Sequence, residues 1–205
     1  SSSKKAMSYD YKILDLKYQI DGLMPKSICD SFINLYEENA NLAGPEASYK
    51  FKEGSHQEDN FKCINLSEQK STTDKFNKPL ELIYKYLTIM LSNYELHIRK
   101  GICPSFQNHL MSSTSNVRIL KYEVGQSIKD HSDCVLNEGT VMRGSCTINL
   151  NEDYEGGDFR LFDGKVKHQF KTGDALLFPA EPIWIHGTEP ITKGVRYCIN
   201  CFLHP

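Results

Sequence analysis

The sequence predicts an α+β chain with a mainly β core of sandwich or jelly-roll type, backed by N-terminal helices. Three observations carry this. From residue 116 onward, short apolar–polar alternations recur between turn residues, the pattern of many short strands. Ahead of them, two segments repeat apolar residues at helical spacing. Hydrophobic residues make up 40% and aromatic residues 11% of the 205, enough for one core, so a single domain with an elaborated N-terminal part is expected.

Taken in order, residues 1–7 (Ser1, Ser2, Ser3, Lys4, Lys5, Ala6, then Met7) read as an expression scar or a disordered leader and are set outside the fold. Residues 11–20 alternate through Ile13, Leu14, Leu16, Tyr18 and Ile20, which predicts a first strand, closed by a turn at Asp21 and Gly22. Pro25 suits a first helical turn, and Ile28, Phe32, Leu35 and Tyr36 recur at helical spacing, predicting a helix over 25–39. The polar stretch 41–73 holds Gly44, Pro45 and Gly54 and a short strand at 61–66; a loop of this length is a candidate lid. Asp74 is then a candidate N-cap for a long helix marked by Leu80, Ile83, Leu87, Met90, Leu91, Tyr94 and Ile98, with Gly101 beyond its end. Strands are predicted at 117–124, 140–150, 158–162, 166–170, 175–178, 183–185 and 195–202. Glycine pairs and Asp-Gly or Gly-Asp steps at 156–157, 163–164 and 173–174, and Gly194, punctuate them.

Charge and cysteine content narrow the function classes. Lys plus Arg number 24 against 26 Asp plus Glu, a net charge of -2, so no basic footprint for nucleic acid is visible. No apolar run approaches the length of a membrane span. Seven cysteines are an odd, scattered set with no signal peptide ahead of them, which predicts reduced thiols and a cytoplasmic location.

His131 and Asp133 are the most telling pair. In extended chain, residues i and i+2 point the same way, so the two side chains can face one metal. The competing reading of Asp130, His131, Ser132 and Asp133 is a surface turn. His186, after the apolar Ile183, Trp184 and Ile185, supplies a second imidazole. Two imidazoles and one carboxylate on one face of a metal form the arrangement of non-haem Fe(II) oxygenases, with open positions opposite. Ten residues beyond His186, Arg196 lies in a predicted strand, where a neighbouring position would let its guanidinium grip a carboxylate bidentately.

The order and spacing of these residues resemble the prolyl 4-hydroxylase-like branch of the 2-oxoglutarate- and Fe(II)-dependent dioxygenases. The resemblance covers about residues 116–203. It rests on Tyr122 to Gly125, His131 to Asp133, Arg143 with Thr147 to Asn151, Gly156 to Phe162, Gly173 to Phe178, His186 with Gly187, and Gly194 to Tyr197. Weaker likeness extends to Gly22 through Pro25 and the helix after them. The resemblance implies a double-stranded β-helix over 116–205, with 8–115 as helical support and lid loop, the whole of 8–205 forming one catalytic domain. It implies His131, Asp133 and His186 as iron ligands, Arg196 as partner of the 2-oxoglutarate C5 carboxylate, and Tyr122 as a co-substrate hydrogen bonder. Fe(II), with 2-oxoglutarate and O2 as co-substrates, would hydroxylate a C–H bond as 2-oxoglutarate becomes succinate and CO2. A prolyl residue of a peptide or protein is the implied substrate. A free amino acid or other small molecule is the alternative, and a non-catalytic jelly-roll binding module is the reading from another class. Ascorbate is implied as a reductant for the iron, and Asp133 favours hydroxylation, since related halogenases lack that carboxylate.

Two departures from the family pattern stand out. Ile148 and Asn149 occupy a stretch where relatives carry a tyrosine, leaving Thr147 as a candidate substitute, and Arg160 stands where many relatives have a small or hydroxyl residue, reading as a solvent-facing strand position. Among other residues, Cys198 and Cys201 sit at i and i+3, on opposite strand faces, which argues against zinc chelation. His56, His97, His109, His168 and His204 lack partners at ligand spacing, although His56 lies in the lid segment. Trp184 reads as sheet packing, and Tyr49, Phe51 and Phe61 as either substrate contacts or anchors of the long loop.

Overall fold

The computed structural model describes residues 12–45, 61–105, 111–134, 136–137 and 140–205. The N-terminal part holds a 3-10 turn (Ile13–Leu16), β1 (Tyr18–Ile20), α1 (Lys26–Glu38), a second 3-10 turn (Ala40–Leu42), β2 (Gly44–Pro45), β3 (Lys62–Asn65), α2 (Leu66–Gln69), a third 3-10 turn (Asp74–Phe76) and α3 (Asn77–Gly101). The strands of the remainder are β4 (Ser113–Tyr122), β5 (Leu136–Asn137), β6 (Thr140–Val141), β7 (Gly144–Asn149), β8 (Glu155–Gly156), β9 (Phe159–Leu161), β10 (Val166–His168), β11 (Ala175–Pro179), β12 (His186–Thr188), β13 (Ile191–Lys193) and β14 (Arg196–His204). They form a seven-stranded sheet in the order β1-β11-β7-β14-β4-β3-β2, a three-stranded sheet β10-β9-β12, and the pairs β13-β8 and β5-β6. This is a double-stranded β-helix backed by helices.

The large sheet has two chemically distinct faces, and the period of two along its strands sorts them. Val117 and Ile119 of β4, Cys146 and Ile148 of β7, Ala175 and Leu177 of β11, and Tyr197, Ile199, Cys201 and Leu203 of β14 join one core with the helices. From α1 that core takes Cys29, Phe32 and Tyr36; from α3 it takes Leu80, Ile83, Leu87, Met90, Tyr94 and Ile98, whose three- and four-residue steps make one apolar stripe. The opposite face looks into the β-helix. There, Leu176 and Phe178 pack with Phe159, Leu161, Phe170 and Trp184, while Leu120, Tyr122 and Cys198 pack with Phe61, Cys63 and Ile191. Asp174 stitches the N-terminal segment to this frame, accepting from the Gly22 amide at 2.9 Å and the Lys171 amide at 2.8 Å.

Several sequence expectations shift. Over 11–20 a strand survives only at Tyr18–Ile20, because Asp15 accepts from the Lys12 amide at 2.6 Å and closes a 3-10 turn instead. Thr73, not Asp74, accepts at the start of the turn that precedes α3, and Gly101 is the last residue of that helix. The run 140–150 divides into β6 and β7, and 183–185 is a turn in which Ile183 is 62% exposed and Trp184 is buried. The β structure also begins before residue 116: β1, β2 and β3 extend the large sheet and β4 starts at Ser113, so 8–115 supplies strands as well as helical support. Residues 1–7, Tyr49, Phe51, His56, His109 and the lid positions 46–60 lie outside the described residues.

Candidate active site

An extended segment and β12, the edge strand of the three-stranded sheet, meet at the candidate metal centre. His131 forms an isolated antiparallel bridge with His186, the first residue of β12, and their amides and carbonyls exchange two hydrogen bonds of 2.9 Å. This pairing holds the imidazoles 4.3 Å apart between ring centroids. Gly187 lets the strands approach so closely: a Cβ there would lie 2.6 Å from Asp130 Oδ1 and 2.9 Å from the Ile128 carbonyl oxygen. Asp133, two residues past His131, completes the group, with Oδ1 3.2 Å from His131 Nε2 and Oδ2 3.3 Å from His186 Nε2.

Both rings are oriented by backbone. His131 Nδ1 lies 2.7 Å from the Lys129 carbonyl oxygen, and His186 Nδ1 lies 2.9 Å from that of Trp184. A carbonyl only accepts, so Nδ1 carries the hydrogen in each ring and Nε2 of the neutral ring presents its lone pair. Those lone pairs point at carboxylate oxygens, an arrangement that repels itself unless a cation lies between. The three ligand atoms fall within 4.8 Å of one another. Burial pushes the Asp133 carboxyl up, but when the His186 and His131 rings are protonated their charge and N–H groups outweigh it and hold the group well below the ordinary carboxylate range, so a proton or a metal cation satisfies the same lone pairs. Ser145 Oγ donates to Asp133 Oδ2 at 2.5 Å, fixing the carboxylate from the large sheet. Phe178 and Phe159 wall His186, whereas the His131 side chain keeps 21% of its surface exposed, so the open side of the group faces solvent past His131.

Arg196 and Tyr122 are cross-strand partners on β14 and β4, and the guanidinium carbon lies 5.6 Å from the Tyr122 ring centroid. Arg196 is 2% exposed, and among the described residues no carboxylate pairs with it. Its Nε donates to Asn149 Oδ1 at 3.0 Å, and Tyr154 Oη donates to the same oxygen at 3.4 Å. Thr147 shares the inward face of β7 with Ser145 and Asn149, midway between the residue that holds Asp133 and the one that holds Arg196.

Asn149, Tyr154 and Ser145 are the site residues that sequence reasoning missed. A signal existed in the alternation of Ser145, Thr147 and Asn149 with Cys146, Ile148 and Leu150, a polar stripe along one strand. Arg160 is not a lone solvent-facing residue: its Nε lies 2.8 Å from Asp130 Oδ1 and its Nη1 3.1 Å from Glu189 Oε2, tying together the segments that carry the two histidines. Cys198 and Cys201 fall in different clusters on opposite faces of β14, as their spacing predicts. Phe61 packs on Tyr122 at 4.7 Å and so anchors its strand. Trp184 packs against Phe162 and Phe178, and its carbonyl orients His186. His97 bonds the Asp15 carbonyl, His204 bonds Ser115, and His168 stacks on Phe170.

A double-stranded β-helix bearing two imidazoles and a carboxylate on one side of an open position defines the mononuclear non-haem iron class. Residues 117–204 match the family model of the 2OG-Fe(II) oxygenase superfamily. The superfamily's cofactor set is Fe(II) with 2-oxoglutarate. Relatives include a PKHD-type hydroxylase from Synechococcus sp. (strain JA-2-3B'a(2-13)), 31% identical over 90 residues, covering 40% of this chain and 39% of that protein. Another, from Aliarcobacter butzleri (strain RM4018), is 33% identical over 105 residues, covering 46% and 44%. The chain thus spans about two fifths of the length of the curated relatives it matches. Among solved structures, a prolyl hydroxylase from Trichoplax adhaerens, in complex with a hypoxia inducible factor peptide fragment, superposes with a TM-score of 0.67 at 14% identity, covering 93% of this chain and 84% of that one. A Pseudomonas putida prolyl-4-hydroxylase gives 0.61 at 17% identity, covering 94% and 96%. A viral collagen prolyl hydroxylase from Paramecium Bursaria Chlorella virus-1 gives 0.62 at 16%, covering 92% and 96%. At these identities they are likenesses of fold. Among the described residues, no helix is long and apolar enough to cross a membrane.

Proposed function

We propose that this protein is an Fe(II)- and 2-oxoglutarate-dependent dioxygenase that hydroxylates a C–H bond of a prolyl residue in a peptide or protein. The convergence of His131, Asp133 and His186 within 4.8 Å, both rings turned by carbonyls so that Nε2 faces inward, is the observation that carries it. A borderline nitrogen and oxygen donor set of this kind fits Fe(II). Bound Fe(II) supplies the oxygen chemistry: 2-oxoglutarate and O2 become succinate and CO2, and one oxygen atom enters the substrate C–H bond. The chain's share is orientation and exclusion. Ser145 holds the Asp133 carboxylate, while Asn149 presents Arg196 as a rigid fork for the co-substrate's C5 carboxylate. Tyr122 and Thr147 line the space between and contribute hydroxyls for hydrogen bonding.

Support for a prolyl substrate comes from the fold likeness to three prolyl hydroxylases, one of them in complex with a peptide. The test is anaerobic titration with Fe(II) and 2-oxoglutarate, then succinate release with a proline-rich peptide in the presence of O2 and ascorbate, with His131→Ala as control. Wild type should release succinate in step with a 16 Da gain on the peptide, a shift set by one added oxygen atom. Succinate coupled to a small molecule would redirect the substrate and keep the reaction. No Fe(II) and 2-oxoglutarate binding, with no succinate from any substrate, would leave the non-catalytic binding module.

A further inference from the structure

Arg160 stands on β9 opposite Gly187, the residue that follows the candidate ligand His186 on β12. Directly opposed residues of an antiparallel pair share a face, and the face alternates along each strand. His186 and its partner Leu161 are buried, so they turn inward. Gly187 and Arg160 turn to the other side, where the Arg160 side chain is 21% exposed. Because Gly187 has no side chain, Asp130 can lie over it: a Cβ there would meet Asp130 Oδ1 at 2.6 Å. Arg160 Nε donates to that same oxygen at 2.8 Å.

The guanidinium has a second hold. Its Nη1 lies 3.1 Å from Glu189 Oε2, and Lys167 Nζ lies 3.0 Å from the other oxygen of that carboxylate. Glu189 stands directly after β12, and its amide donates to the Asp158 carbonyl at 2.9 Å, just ahead of β9. One planar fork therefore joins the residue before His131 to the residue after β12. Elsewhere the two segments are tied at Ile128, which exchanges bonds of 3.0 Å with the amide and hydroxyl of Thr188, and at His131, which bonds His186. Arg160 grips the chain between those ties, at Asp130. The His131 ring takes its direction from the Lys129 carbonyl, so a shift of this short stretch moves the imidazole with it.

Resting on the metal-dependent reading of the site, we infer that Arg160 is a positioning residue for the metal: through Asp130 it fixes the His131 imidazole at ligand distance from Asp133 and His186. A guanidinium stays protonated and offers no lone pair to a metal, so its effect is exerted through the chain. Partly exposed ion pairs add little to global stability. Metal ligation is far less forgiving, tolerating about 0.2 Å. Loss of Arg160 should therefore appear in metal affinity and hardly at all in melting.

Co(II) alone is the probe, followed by calorimetric titration and by the visible absorption of the bound ion, with thermal melting of the apoprotein alongside. Arg160→Gln should weaken Co(II) binding about tenfold and alter the absorption, while the apoprotein melts within about 3 °C of wild type. Arg160→Lys should fall between them, because an ammonium lacks the fork that spans both carboxylates. Asp130→Ala should lose as much as Arg160→Gln, and the double variant should match the weaker single within about twofold, since one path links the two residues. Asp130→Ala also tests that path if Arg160→Gln folds poorly. Lys26→Gln, which breaks the exposed Lys26–Asp30 pair on α1, is the control and should bind as wild type does. Affinity within about twofold of wild type in both single variants, or losses that multiply in the double variant, overturns the inference and leaves the metal site standing. Wild type that binds Co(II) no better than His131→Ala defeats the metal-dependent reading, and this inference with it.

Discussion

Gly187→Ala should cost the protein its metal. The added Cβ would sit 2.9 Å from the Ile128 carbonyl oxygen and 3.1 Å from the Asp130 amide, where ordinary contact begins at 3.4 Å. Backbone atoms cannot swing aside as a side chain can, so the strand carrying His131 must retreat from β12 by about half an ångström, whereas metal ligation tolerates about 0.2 Å. Strained contacts of this kind cost roughly 1–3 kcal/mol. Metal affinity should fall further, by about 100-fold, because one imidazole leaves ligand range while the other stays with Asp133. Calorimetric titration with Co(II) measures this, with thermal melting of the apoprotein alongside. Gly44→Ala, where a Cβ meets nothing within 4 Å, is the control. Adding Asp130→Ala should not restore binding, since it relieves the 2.6 Å contact with Oδ1 and leaves the carbonyl of Ile128 in place. Co(II) affinity in Gly187→Ala within about twofold of wild type would refute the claim that this close approach sets the ligand geometry.

Three other outcomes are expected. Asn149→Leu removes the acceptor that holds Arg196 Nε at 3.0 Å, and should weaken 2-oxoglutarate binding about tenfold while Co(II) binding without co-substrate stays within about twofold; equal losses of both would show a general collapse instead. Glu37 is held below the usual carboxylate range by hydrogen bonds from Lys121 and Tyr197. A depressed carboxyl stabilises the fold above its unfolded-state pKa, and the gain is lost as pH falls through the folded one. Wild type should therefore out-melt Glu37→Gln at pH 7, by a small margin because Glu37 is 43% exposed, and the two should converge in acid. Burial pushes Cys29 and Cys63 up to about 11, so in the native protein at pH 8 a thiol reagent should label the exposed Cys103 and Cys134 and spare those two until denaturant is added, as peptide mapping would show.

The sequence exposes this site unevenly, for reasons of range. His131 and Asp133 are legible because a two-residue spacing in extended chain fixes a shared direction locally. His186 lies 55 positions after His131, and its place depends on an isolated long-range bridge that no local pattern encodes; motif order alone links the three. Local chemistry also misleads where it competes with alternation. Over 183–185 the apolar pattern reads as strand, yet the Trp184 amide donates to the Glu181 carbonyl and the Ile185 amide to that of Ile183, making a turn. That turn buries the indole and delivers the carbonyl that orients His186.

The hardest part to read is the polar face of β7, and the difficulty is physical. Ser145, Thr147 and Asn149 alternate with Cys146, Ile148 and Leu150, a pattern that in an open antiparallel sheet marks a solvent face. All six residues from Gly144 to Asn149 are buried here, so the polar side of the strand faces an interior. A buried polar stripe is costly unless each member has a task. Ser145 bonds the candidate metal carboxylate and Asn149 the arginine proposed for the co-substrate, with Thr147 between them. Across the sheet, Asn200 and Arg118 continue the Thr147 row towards the edge. Had the interior evolved only to be packed, apolar residues would fill these positions at lower cost.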